Sequence, residues 1–245
     1  MTFEKINFLL DKNNFDFYFL ESVDSTMSEI KKYNFKRNIC LMANQQTKGF
    51  GRRGAVWESP KGNVYISILF KNIIDIQNHF LNNAYTTNMI CDAIDSICKV
   101  RTEIKWPNDI LIKNKKISGI ISEIYNINNN TFINTGFGVN IISSPNLDNY
   151  LTTNINEYKK GINNFSFVLI LMENYFKNFY MLIKNSKMIL ENYKSRLKYL
   201  GTHIKLQIND NFFKEGIFED LNSDGSIILK SKSNSENIYN ARIVR

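Results

Sequence analysis

The alternation of apolar and polar residues divides the chain into a strand-rich first part, a helical middle and a second strand-rich tail. Residues 15–23, FDFYFLESV, read as a strand leading into a turn. DSTMSEIKKYNF follows and predicts a short helix capped by Ser25 or Thr26, with Glu29 in its first turn. ICLMAN at 39–44 and NVYISILFK at 63–71 have the character of buried strands. Between residues 79 and 99, Leu81, Ala84, Tyr85, Met89, Ala93, Ile94 and Ile97 recur at helical spacing. EIKWPNDILI, KKISGIISEIYNI and TFINTGFGVNI then read as strands joined by short turns, with NNN at 128–130 as a hairpin tip. Helical periodicity returns from Phe165 to about Leu197, breaks near Asn185-Ser186, and is expected to end at Gly201. THIKLQI, FFKEGIFEDL, SIILKS and NIYNARIV complete the chain as short strands with turns at NDN and NSDG. The expected organisation is a larger unit over 1–198 and a small β-module over 199–245.

The chain has 245 residues, 43% of them hydrophobic, enough for a substantial core and unlike a disordered composition. Its net charge is +8. Part of that follows from a sequence crowded with Asn, Lys and Ile; the rest fits a polyanionic partner such as nucleic acid, nucleotide or acidic protein. Cys40, Cys91 and Cys98 have no metal-ligand spacing and read as reduced core thiols of a cytoplasmic protein. The N-terminal stretch is interrupted by charge every few residues and has no cleavage site, so no signal peptide is expected. No apolar run is long enough to cross a bilayer, so no membrane partner is expected either.

Four stretches carry candidate chemistry. QTKGFGRRGAVW at 46–57 places Gly49, Gly51 and Gly54 around Arg52 and Arg53. Glycine backbone can close on a phosphate, and arginine adds a matching fork of donors. The pattern is neither a Walker A loop nor a dinucleotide fingerprint, and an exposed basic hairpin has the same composition. In KWPNDILI, Pro107 holds Trp106 extended, which fixes where Lys105, Asn108 and Asp109 point. Asp109 there is a candidate magnesium ligand or a simple turn cap. In KKISGIISE, Lys116 is expected on the strand neighbouring Lys105, so that both face one anion, and Gly119 suggests a close backbone approach. In GFGVN, Gly136 and Gly138 bare one strand face for a flat ligand or another backbone, with Asn140 just beyond.

Together and in this order, these stretches and Asp24-Ser25-Thr26 resemble the biotin protein ligases. The likeness is close over about residues 20–142 and looser over the tail. It implies an α+β fold: a mixed β-sheet catalytic domain flanked by helices, of the class II synthetase-like biotin/lipoate ligase type, with a small C-terminal SH3-like β-barrel. It implies the activation of biotin by ATP, entering with Mg2+ as a substrate complex, to biotinyl-5′-AMP. The acyl group then passes to a lysine of a biotin carboxyl carrier protein. It assigns biotin to Ser25, Thr26, Gln46, Gly49, Phe50, Gly51, Arg52, Lys105, Lys116 and Gly119, with Ser25, Thr26 and Gln46 on the ureido ring. It assigns ATP and the adenylate to Arg52, Arg53, Trp57, Lys105, Asn108 and Asn140, catalysis to Arg52 and Lys105, and a metal to Asp109. No tightly bound metal is implied.

Bifunctional members carry a winged helix ahead of this core. Too few residues precede the first strand here for one, so no DNA partner is expected; a homodimer stays open. A lipoate–protein ligase of the same fold and a basic nucleic-acid-binding module are the competing readings. The acceptor lysine raises a separate question, since deprotonating a lysine of pKa about 10.4 at neutral pH costs roughly 4.6 kcal/mol. His79 and His203 both lie away from the motifs.

Two positions depart from the family pattern. Phe50 stands where arginine is usual between the first two loop glycines, and Met27 stands where asparagine is common. The loss of one cation from the loop implies weaker retention of the intermediate. Phe50→Arg is expected to slow the release of biotinyl-AMP, measured by following labelled adenylate off the protein; an unchanged rate would sink the idea.

Overall fold

Period-two burial decides the architecture. In strand β2 (Asn38–Ala43), Cys40 and Met42 enter the large core while Ile39 and Leu41 enter a smaller cluster on the opposite face. Side chains alternate across a strand, so a strand apolar on both faces must lie inside a sheet covered on both sides. Strand β3 (Val64–Lys71) is the extreme case, buried from Val64 through Phe70. These assignments come from a computed structural model describing residues 2–73, 79–127, 130–146, 150–232 and 234–244.

Seven strands form the main sheet. To β2 and β3 are added β1 (Phe15–Leu20), β4 (Glu103–Lys105), β5 (Asp109–Ile112), β6 (Lys115–Ile127) and β7 (Asn130–Val139), in the order β1-β2-β3-β7-β6-β5-β4. The β1–β2 pair is parallel and the remaining ladders are antiparallel, so the sheet is mixed. Helix α1 (Thr2–Lys12) packs on β1 and α4 (Asn164–Asn178), and α3 (Phe80–Cys98) packs on α4 and α6 (Ser186–Lys194). On the other face a single turn, α2 (Thr26–Glu29), lies against β3 and β7.

The second sheet is antiparallel, with β8 (His203–Gln207), β9 (Phe213–Leu221), β10 (Ile227–Lys230), β11 (Ser235–Ile238) and β12 (Arg242–Val244) in the order β11-β10-β9-β8-β12. It is the small C-terminal sheet expected. No ladder closes β11 on β12 among the described residues, so a barrel is not shown.

Several expectations shift. Helix α1 was not anticipated; charged residues break up the buried pair Ile6 and Leu10. The chain does break at Asn185, but also after Asn178, which yields α5 (Met181–Lys184) as a separate turn. Gly201 does not end a helix, since α6 stops at Lys194. It takes a φ of 76° and donates its N–H to Phe218 O, turning the chain into β8. NIYNARIV divides into β11 and β12. Of the expected tip at 128–130, residues 128 and 129 lie outside the described residues, and Asn130 opens β7. The three cysteines are free and buried.

The two sheets are joined by a buried contact: Trp106 Nε1 donates to Gly225 O, between β9 and β10, at 2.9 Å. The same β4–β5 turn is held to helix α6, where Tyr193 Oη donates to Pro107 O at 2.9 Å. Gly225 has a φ of 85°, and a Cβ there would come within 2.4 Å of the Phe80 ring. Gly225→Ala is therefore expected to destabilise the fold by about 2–4 kcal/mol, from left-handed strain and overpacking together. Denaturant unfolding followed by tryptophan fluorescence checks this.

Candidate active site

Register builds the site. Lys105 on β4 pairs with Asp109 on β5, Asp109 with Gly119 on β6, and Gly119 with Gly138 on β7. Directly paired residues share a sheet face. Two charged side chains therefore stand beside a window of two glycines on one row. Gly136 lies two residues along β7 and turns the same way, opposite Ser67 of β3. The alternate residues Phe137 and Val139 turn into the large core. The bare strip is thus the reverse side of a fully apolar one.

The strip is already covered. A Cβ at Gly138 would meet Trp57 Nε1 at 2.4 Å, and one at Gly119 would meet Trp57 Cζ3 at 3.1 Å. A Cβ at Gly136 would meet Met27 Sδ at 2.4 Å. The close approach expected at these glycines is real, and two side chains, Trp57 and Met27, supply it. Trp57 Nε1 is buried without an acceptor, an arrangement that typically costs about 1–3 kcal/mol.

A polar network forms one end. Gln46 Oε1 accepts from Thr26 N at 2.8 Å and from Thr26 Oγ1 at 3.2 Å, while Gln46 Nε2 donates to Ser59 Oγ at 3.0 Å. Ser67 Oγ donates to Thr26 Oγ1 at 2.9 Å, and Ser59 Oγ donates to Trp57 O at 2.9 Å. Ser25 occupies the N-cap position of α2, as expected, yet its side chain makes no capping bond; Gln46 serves the Thr26 N–H instead. Gly49 is needed for this crossing, because a Cβ there would lie 2.5 Å from both Ser59 Oγ and Trp57 O.

Cations form the other end. Arg52, Arg53, Lys105, Lys116 and Arg242 line one cavity of about 570 Å³ together with Ser25, Thr26, Gln46 and Trp57. Lys105 and Lys116 are not on adjacent strands as expected, since β5 runs between β4 and β6; they still face each other across Tyr150, each ammonium 5.3 Å from its ring. Burial pulls the pKa of Lys105 below its ordinary 10.5, and burial followed by the neighbouring Arg53 lowers that of Arg52. Asp109 pairs with Lys116 at 2.5 Å and also accepts from the Tyr150 hydroxyl. Both of its carboxylate oxygens thus have protein partners, and no group of three His, Cys, Asp or Glu gathers among the described residues.

The remaining expected residues have local partners. Asn108 Nδ2 donates to Ile120 O at 2.9 Å, and Asn140 Nδ2 donates to Thr153 O at 3.1 Å. Both line the cavity while bracing the strands around it. The glycine-rich segment is itself a small hairpin: Trp57 N donates to Gly49 O at 3.0 Å, Gly51 N donates to Ala55 O at 2.7 Å, and Phe50 bridges Val56. At its tip Arg53 and Gly54 take φ of 55° and 74°. Gly51 meets nothing closer than 3.7 Å, so its lack of a side chain is not required by contact. Sequence reasoning missed Tyr150, Ser59, Ser67 and Arg242, which lie outside the motifs that carried candidate chemistry.

With this geometry in place, comparison with known proteins is informative. The family model described as "Biotin/lipoate A/B protein ligase family" matches residues 19–140, about half of the chain, and that stretch belongs to the family. The "Bifunctional ligase/repressor BirA" of Bacillus subtilis (strain 168) is 32% identical over 129 residues, which are 52% of this chain and 40% of that protein. The "Biotin--[acetyl-CoA-carboxylase] ligase" of Paracoccus denitrificans is 30% identical over 135 residues, 51% of this chain and 55% of that protein. The chain thus spans about half or less of the curated relatives it matches. Its fold is like that of the "Biotin protein ligase from Aquifex aeolicus in complex with biotin and ATP", with a TM-score of 0.77, 23% identity, and coverage of 93% of this chain and 97% of that one.

A buried ammonium with a depressed pKa binds anions only while protonated. Affinity for an anionic probe such as AMP is therefore expected to fall as pH rises through the lowered Lys105 pKa, ahead of 10.5. Lys105→Met should remove that part of the dependence; calorimetric titration across pH reads it.

Proposed function

We propose that the chain is an ATP-dependent biotin protein ligase. The observation that carries this reading is the polarity of one cavity. Hydroxyl and amide groups of Thr26 and Gln46 stand at one end, Trp57 and Met27 packed on the glycine strip form the apolar floor, and Arg52, Lys105 and Lys116 stand at the other end. Biotin has matching parts: a hydrogen-bonding ureido ring, an apolar bicycle and a carboxylate. Gln46 keeps one Nε2 hydrogen beyond the bond to Ser59, and the Ser25 hydroxyl makes no cap, so both remain for a ring.

The chemistry follows from charge. A biotin carboxylate oxygen forms a bond to the α-phosphorus of ATP, the bond from that phosphorus to the bridging oxygen breaks, and pyrophosphate leaves. Two unit charges about 4 Å apart repel by roughly 4 kcal/mol at an effective dielectric near 20. Arg52 and Lys105, held partly out of water, offset that repulsion through electrostatic preorganisation. Lys116 is set on the same anion by Asp109 and by the faces of Trp57 and Tyr150. The lysine amine of a biotin carboxyl carrier protein then attacks the acyl carbon, and AMP leaves. Magnesium enters with ATP as substrate.

Cytoplasmic residence and a division of the chain near residues 198–199 belong to the same reading. No helix among the described residues is long and apolar enough to cross a membrane. A nucleic-acid-binding module would spread its cations over an exposed face, whereas here they converge on a cavity. A lipoyl dithiolane offers no hydrogen-bonding group to Thr26 and Gln46.

Biotin-dependent exchange of labelled pyrophosphate into ATP tests the reading. Exchange with biotin and not with lipoate is expected. No exchange by folded protein ends the ligase reading, and exchange supported by lipoate transfers it to the other branch of the family.

A further inference from the structure

Two arginines of the glycine-rich hairpin are gripped by one residue of the C-terminal sheet. Arg52 Nη2 donates to Asn240 Oδ1 at 2.9 Å, and Arg53 Nη2 donates to the same oxygen at 3.2 Å. Arg53 Nη2 also reaches Ile208 O at 3.2 Å and Asn240 O at 3.4 Å. Asn240 lies in the turn between β11 and β12, far along the chain from the hairpin. Two guanidiniums on one oxygen repel, and neutral carbonyls offset that only in a defined geometry.

The two arginines are not equivalent. Arg53 sits at a φ of 55°, a left-handed conformation uncommon for a residue other than glycine. Its guanidinium meets three oxygens of the C-terminal sheet and its turns. Among the described residues Arg52 donates to Asn240 Oδ1 alone, which leaves most of its five N–H donors unassigned there while it lines the cavity. Gln207 and Arg242 of the same sheet line that cavity too.

We infer that Asn240 is a positioning residue: through Arg53 as anchor and Arg52 as the presented group, it holds the hairpin closed over the nucleotide end of the cavity. The polar end at Thr26 and Gln46 is held by its own network and does not depend on Asn240. The inference rests on the proposed ligase reading only for its activity measurements.

Two arms test it. Limited digestion with trypsin reads hairpin opening directly, because Arg52 and Arg53 are cleavage sites, and this arm needs no assumption about function. Asn240→Ala is expected to speed cleavage after Arg52 and Arg53 by about tenfold, the weight of one hydrogen bond to a charged group. Other sites should be unchanged. Asn240→Asp, which keeps the acceptor oxygen, should restore resistance. In the second arm, Asn240→Ala should raise the KM for ATP and the release rate of biotinyl-AMP about tenfold, and should weaken biotin, which keeps its contacts at Thr26 and Gln46, by less.

Equal hairpin cleavage in wild type and Asn240→Ala overturns the latch. So does faster cleavage at all sites together, which marks general loosening. An unmoved ATP KM and release rate overturn the positioning role. If the wild type lacks exchange altogether, the ligase reading fails while the digestion still decides whether the latch exists.

Discussion

The strip of three glycines on the pocket face of β6 and β7 is the constraint around which the site is arranged. The alternate residues of the same strands, Ile120, Phe137 and Val139, fill the core, so the register that seats them there sets the glycines on the cleft face. A slip of one residue would turn those apolar side chains into the cleft. Once the strip is bare, Met27 can enter over Gly136 and Trp57 over Gly119 and Gly138. The short turn of α2 and the glycine-rich hairpin are brought to the sheet by those two side chains.

Electrostatics sets the rest. Lys105 and Arg52 are charges that burial disfavours; both feel Asp109, but neither makes an ion pair among the described residues. Lys116 does, and Asp109 is in turn held by Tyr150. Of the five cations that line the cavity, Lys116 is neutralised by Asp109, while burial disfavours the charges of Lys105 and Arg52, which have no ion pair among the described residues. This asymmetry separates a cation held by its own carboxylate from those that, in the proposed ligase, meet the charge of the substrates.

Much of this was legible in the chain. The strands of the main sheet follow from apolar alternation, and the ordered motifs point to the residues that line the cavity. The glycines were readable as places of close approach, although their occupants, Trp57 and Met27, were not. What stayed hidden depends on contacts between residues far apart in sequence. Gln46 reaching Thr26, Tyr150 reaching Asp109, and Arg53 reaching Ile208 leave no local periodicity. The position of Lys105 relative to Lys116 was misjudged because a two-turn excursion, β4 to β5 to β6, was compressed into one hairpin. Helix α1 escaped notice because its apolar stripe is only two buried residues wide.

Two of the crowded motif glycines are filled by a residue from a different motif: Gly136 by Met27 and Gly138 by Trp57. A methyl group added at either collides with a side chain fixed by another stretch of the chain. The stretches are therefore interlocked as heritable units. A substitution in one becomes tolerable only after its counterpart has moved, so the order of accumulated changes is restricted. Met27 is the loosest tooth in that lock, because an unbranched thioether can retract where a rigid side chain could not. Variation in this pocket thus has an easiest point of entry, at the turn of α2.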